Sequence, residues 1–155
     1  LANQSRAKQL GFFFEMVKYL TEKIINTVSE HFGLAPCEVF RNTKLAHICV
    51  PRQVAMYLIA KHTERGHTYT AERFGMHAHS SHHATKLIST RIALEPRFAA
   101  QIQAIEHEIS AWVQIAGRMP ATTLQTAFMT PESLSNLCHF PGAEPKSYET
   151  SASGV

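Results

Sequence analysis

The chain has 155 residues, 45% of them hydrophobic and 17% charged, which fits one compact domain with tails and excludes a disordered polymer. No apolar run approaches the roughly 18 residues needed to cross a bilayer, and the N-terminal stretch lacks the order of a secretory signal, so a soluble, cytoplasmic protein is expected. The net charge of +3 is uneven: positions 41–91 hold eight Lys or Arg against Glu64 and Glu72, and seven of the ten histidines.

Helical periodicity begins at about Arg6 and runs to Phe32, with Phe13, Met16, Val17 and Leu20 on one stripe, then Ile24, Ile25, Val28 and Phe32. Thr21 is expected to cap a fresh helix, with Glu22 in its first turn and Gly33 past its end. Within the first part, Phe12, Phe13 and Phe14 cannot all face one core. Two are expected inside and one exposed, and the triplet is a candidate protein-partner surface on the N-terminal aromatic helix.

Leu34–Phe40 reads as a short helical turn with Pro36 at its first position, and Arg41–Val50 as a loop. Pro51 is expected to open a helix to about Thr63, with Val54, Ala55, Leu58 and Ile59 inside. Thr68–Phe74 then forms a brief helix, Gly75 and Met76 a turn, and His79–Ile92 a further helix burying Ala84, Leu87, Ile88 and Ile92. Glu95-Pro96 starts a long amphipathic helix through Phe98, Ile102, Ile105, Ile109, Trp112 and Ala116, closed by Gly117. Beyond Pro120 the composition turns to Thr, Ser, Pro and Gly, which predicts a flexible tail.

The fold class is therefore all-α. The expected organisation is an N-terminal helical extension over 1–20, a helical domain over 21–118 and the tail over 119–155. A short helix, a glycine turn and a second helix, as over 68–92, is the order of a helix-turn-helix, whose second helix starts in the DNA major groove.

Three groups of residues carry a family resemblance. Ile24 and Val28 precede the aromatic-glycine turn Phe32-Gly33. Pro51-Arg52-Gln53-Val54-Ala55-Met56 forms a Pro-Arg-Gln helix. Phe74-Gly75-Met76-His77-Ala78-His79-Ser80-Ser81 stands in the place of a Phe-Gly-Gly-Arg-Asp-His-Thr-Thr signature. From Ile24 to about Ile109 the chain resembles domain IV, the C-terminal DNA-binding domain of the bacterial replication initiator DnaA, a Trp-repressor-like helix-turn-helix bundle. The resemblance implies Arg52 and Gln53 as phosphate anchors, His79, Ser80 and Ser81 as base readers, and Lys44 with Arg41, Thr43 and His47 in a minor-groove arm. His77 and His83 complete the expected DNA-facing set. Arg52 and Gln53, taken as first-turn residues of a Pro-led helix, also suit phosphate through the backbone N–H groups there.

The chain departs from the family pattern at Ala46, where an arginine reads the minor groove, and at Ala78, where an Asp contacts a base. It contains no G-x-x-x-x-G-K-[ST] run, so no nucleotide is expected. The implied function is double-stranded DNA binding by a bacterial, nucleoid-associated regulator of replication initiation or transcription. The alternative is a protein-binding adaptor that keeps the fold with weak DNA specificity. Neither enzyme chemistry nor a cofactor is expected: Cys37, Cys49 and Cys138 form no C-x-x-C pair and have no catalytic signature. The His77, His79, His82, His83 cluster lacks neighbouring Cys, Asp or Glu to complete a metal site, and none is expected.

Overall fold

The computed structural model describes residues 2–119 and 123, with side chains from residue 11 onward. The described residues form five α-helices and no strand: α1 Ala2–His31, α2 Ala46–Thr63, α3 Gly66–Arg73, α4 Ala78–Leu94 and α5 Pro96–Ala116, with a single turn of 3-10 helix at Glu38–Phe40 between α1 and α2. Apart from Met119 and Thr123, the expected tail lies outside the described residues.

Helix α1 follows the apolar stripe, burying Val17, Ile24, Ile25 and Val28. It runs unbroken through Thr21, which does not cap a new helix. The Thr21 hydroxyl donates back to the Val17 carbonyl at 2.7 Å and lies 3.1 Å from the Tyr69 hydroxyl, so it is satisfied inside the helix and frees no backbone turn. The helix ends as its sequence predicts. Gly33 adopts φ +66°, and Leu34 N–H and Gly33 N–H reach back to the Ser29 and Glu30 carbonyls at 2.9 and 3.2 Å. That left-handed residue closes the helix C-terminus because glycine carries no Cβ to oppose it.

Helix α2 starts five residues earlier than expected, at Ala46, which places Pro51 inside it. Ile48, 2% exposed, supplies the reason: its burial draws the 46–50 segment onto the core, while Ile48 N–H and Cys49 N–H bond the Leu45 carbonyl at 3.0 and 2.8 Å. The proline lacks only the N–H that would face the His47 carbonyl, one turn from the helix start.

The core is one cluster to which α1, α2, α4 and α5 each contribute, including Ile24, Val28, Val54, Leu58, Ile88 and Ile105. On α4 the buried stripe is Ser81, Ala84 and Ile88, while Leu87 is 43% exposed. The expected inward Leu87 is thus corrected: a stripe through 81, 84 and 88 leaves 87 about 100° away around the helix. Two acidic residues of α5 fasten it to its neighbours. Glu108 accepts from Lys23 at 3.1 Å and lies 3.3 Å from His31 on α1, and Glu106 accepts from Lys61 on α2 at 2.6 Å. The Lys23 hydrogen bond chiefly holds the Glu108 carboxyl below its ordinary value.

Candidate nucleic-acid interface

The turn between α3 and α4 is built like the end of α1. Gly75 has φ +62°, Met76 N–H bonds the Ala71 carbonyl at 2.9 Å and Gly75 N–H the Glu72 carbonyl at 3.1 Å. Phe74, buried, stacks on Phe40 with ring centroids 5.3 Å apart, tying the turn to the segment that leads into the arm. Extended His77 then sets the start of α4, and no side chain caps that helix. The Ser80 N–H turns back to the His77 carbonyl at 2.9 Å, which leaves the Ala78 and His79 N–H groups to an acceptor from outside.

The start of α4 presents His77, His79, His82 and His83 as exposed side chains, with Ser80 half-buried. Ser81 is different. It is fully buried on the inner stripe, and its hydroxyl lies 3.2 Å from Nδ1 of His67 on α3. The expected base-reading role of Ser81 is therefore corrected: its side chain joins α4 to α3. His67 also meets the His82 ring edge-on at 5.1 Å between centroids. Sequence reasoning missed His67, whose partner is 14 residues away and met only through the fold.

Across from α4, α2 brings Gln53 to the same place. A cleft of about 400 Å³ is lined by Cys49, Arg52 and Gln53 of α2 and by His79, Ser80 and His83 of α4, with Met56 and Met76 in its wall. The structure thus gathers Arg52, Gln53, His79, Ser80 and His83 into one cleft. Arg41, Thr43, Lys44 and His47 do not line it. His47 is exposed in the first turn of α2, where a loop was expected.

Arg52 requires the largest correction. It stands seven residues into α2 rather than in the first turn, is 6% exposed, and spends its guanidinium on the arm. Nη1 donates to the Arg41 carbonyl, Nη2 to the Thr43 carbonyl at 3.0 Å and to Cys49 Sγ at 3.7 Å. Within the arm, Thr43 N–H bonds the Arg41 carbonyl at 2.9 Å and Leu45 N–H the Thr43 hydroxyl at 3.2 Å. A planar fork of donors bridging two carbonyls fixes the loop that a single ammonium would leave looser. Arg52 holds Arg41 and Lys44 in position from beneath.

The basic segment is also less free than its composition suggests. Lys61, Arg73 and Arg91 pair with Glu106, Glu22 and Glu95. Arg65 lies over the Phe14 ring at 4.1 Å. Exposed basic side chains near the interface are Arg41, Lys44 and Lys86, beside the exposed histidines of α4. Among the described residues, no three His, Cys or Glu side chains gather closely enough to hold a metal ion, and no helix is long and apolar enough to cross a membrane.

The turn, the exposed start of α4 and the α2 wall occupy the segment that matches a known family: residues 21–87 match the bacterial dnaA protein helix-turn-helix. The chain is similar to the chromosomal replication initiator protein DnaA of Citrifermentans bemidjiense, 32% identical over 89 residues, which are 57% of this chain and 19% of that protein. Against the same initiator of Chloroflexus aurantiacus it is 30% identical over 89 residues, with the same two shares. Against that of Deinococcus radiodurans it is 28% identical over 86 residues, 56% of this chain and 18% of that protein. The chain spans about a fifth of the length of these relatives.

Proposed function

We propose that this DnaA-type domain binds double-stranded DNA and serves a regulator of replication initiation or transcription in the bacterial cytoplasm. The observation that carries the reading is the start of α4: an uncapped helix N-terminus ringed by exposed His77, His79 and His83, beside Gln53, on a glycine turn. A helix start of this kind enters the major groove, where imidazole and the Ser80 hydroxyl meet base edges and the open N–H groups favour phosphate. Lys44, with Arg41, Thr43 and His47, supplies the flanking arm, positioned by Arg52. No step in this reading involves catalysis, a nucleotide or a cofactor.

A second reading has its own support. Arg52 and Ser81 point inward, Ala46 and Ala78 stand where the family has DNA contacts, and three cations of the basic segment are paired. These features favour an adaptor that keeps the fold with weak sequence preference. Selection of sites from a random DNA pool, followed by titration against salt, separates the two. The DNA-reading assignment expects an enriched motif and a log–log salt slope near that of a few phosphate contacts. Retention of DNA at low salt with no enriched motif places the adaptor reading first.

A further inference from the structure

On α1, Phe12, Phe13 and Phe14 are 45%, 54% and 59% exposed, correcting the expectation that two of them pack inside. Consecutive aromatic rings in water are not needed for the fold, since the core cluster contains none of them. Beside them, α1 and α3 enclose a groove of about 260 Å³, lined among others by Phe14, Lys18, Arg65, Tyr69 and Arg73. The Arg65 guanidinium covers the Phe14 ring at 4.1 Å and reaches the Phe13 ring at 5.6 Å. Stacking of this kind uses the flat face of the guanidinium and leaves its in-plane N–H groups to an acceptor.

Those donors are not used up within the described residues. The Nε atoms of Arg65 and Arg73 are both buried with no hydrogen-bond partner, although Arg73 also pairs with Glu22. A buried donor without an acceptor is costly, and a charged one more so. The Tyr69 hydroxyl is already engaged with Thr21. Glu15 also lines the groove, so an arriving anion meets two guanidinium groups and Lys18 against that carboxylate and the Glu22 already paired.

We propose that this groove docks an acidic, apolar segment of a partner protein: the half-buried Arg65 and Arg73 turn their enclosed Nε–H groups outward to its carboxylate, and a neighbouring apolar side chain takes the place of Arg65 on Phe13 and Phe14. A free phosphate or a nucleic-acid backbone satisfies the arginines but leaves the three rings in water. An uncharged apolar segment covers the rings and leaves the arginine donors unpaired. A carboxylate-bearing segment with Leu or Phe beside its Glu residues meets both requirements. The site lies on α1 and α3, and the proposal does not depend on DNA binding by α4.

The test uses the full chain, isotopically labelled so that arginine Nε–H signals are resolved, titrated with the peptide acetyl-Glu-Leu-Glu-Glu-Leu-Phe-Glu-amide. The expected result is movement of two arginine Nε–H signals that disappear singly in Arg65→Gln and Arg73→Gln, with binding weakened about tenfold or more by Arg65→Gln. Phe13→Ser, a change at an exposed ring, is expected to weaken the peptide with circular dichroism and DNA binding unchanged. The same peptide with every Glu replaced by Gln is expected not to bind. Equal binding of the Gln peptide, or acidic peptide that moves neither signal, overturns the proposal. So does binding of anionic phospholipid vesicles through these residues in place of the peptide, which makes the surface a membrane contact.

Discussion

The arm before α2 and the turn before α4 both deliver polar side chains to the candidate interface, and they do so by opposite means. The turn is a backbone device: Gly75 at φ +62° and two main-chain hydrogen bonds fix its path, so α4 emerges with its histidines outward whatever their identity. The arm is a side-chain device. Its carbonyls at Arg41 and Thr43 are held by the guanidinium of Arg52, a residue from the next helix. The first arrangement is local and tolerant; the second concentrates its stability in one side chain. The difference predicts that the two regions fail differently when mutated.

The largest expected effect separates the inner stripe of α4 from its outer face. Ile88→Ala, at a fully buried position, should cost about 2–5 kcal/mol in denaturant unfolding. Leu87→Ala, one residue away and 43% exposed, should cost less than about 1 kcal/mol. Equal costs at the two positions would mean that α4 packs in another rotation.

Next comes the arm. Arg52→Ala should cost about 1–3 kcal/mol, because it strips donors from two carbonyls beside a buried site. Hydrogen exchange at the Thr43 and Leu45 amides should accelerate beyond the global change, and Arg52→Lys should restore only part of the protection. If Arg52→Ala leaves those amides protected and instead lowers the salt slope of DNA binding, Arg52 is a phosphate contact after all.

The adjacent serines sharpen the comparison within the start of α4. Ser81→Ala should cost about 1 kcal/mol through loss of the His67 contact. Ser80→Ala should be nearly silent in thermal melting, within about 0.5 kcal/mol. In site selection the order should reverse, with Ser80→Ala relaxing preference at a base pair and Ser81→Ala leaving the motif intact.

The smallest expected effect is on acid stability. Burial is the main cause that pushes His62 below its ordinary value of 6.5, so the unfolded chain binds its proton first and stability falls as pH drops through that value. Glu108, held below its ordinary 4.5 mainly by Lys23, keeps its contribution until lower pH and then loses it. Melting temperature against pH should therefore decline in two stages. His62→Gln should remove the upper stage alone, and Glu108→Gln the lower; a single stage unaffected by either substitution contradicts both assignments.

Much of this protein is written into short stretches of its chain. Gly33, Gly75 and Glu95-Pro96 place three helix boundaries, since a left-handed glycine or a proline at a helix start acts within one turn. The isoleucine stripe of α5 and the glycine turn before the α4 histidines follow from spacing alone. The early start of α2 was hidden by Pro51, because the burial of Ile48 that favours helix there depends on the rest of the core. Side-chain destinations were decided by tertiary structure. Arg52 turns inward because two arm carbonyls arrive above it, Ser81 because His67 does, and Arg73 and Lys61 meet glutamates from distant helices. Neighbouring helical positions differ by about 100° in direction, so a periodic pattern leaves Leu87 and Ile88 as near alternatives. The partner helix chooses between them, burying Ile88 and leaving Leu87 in water.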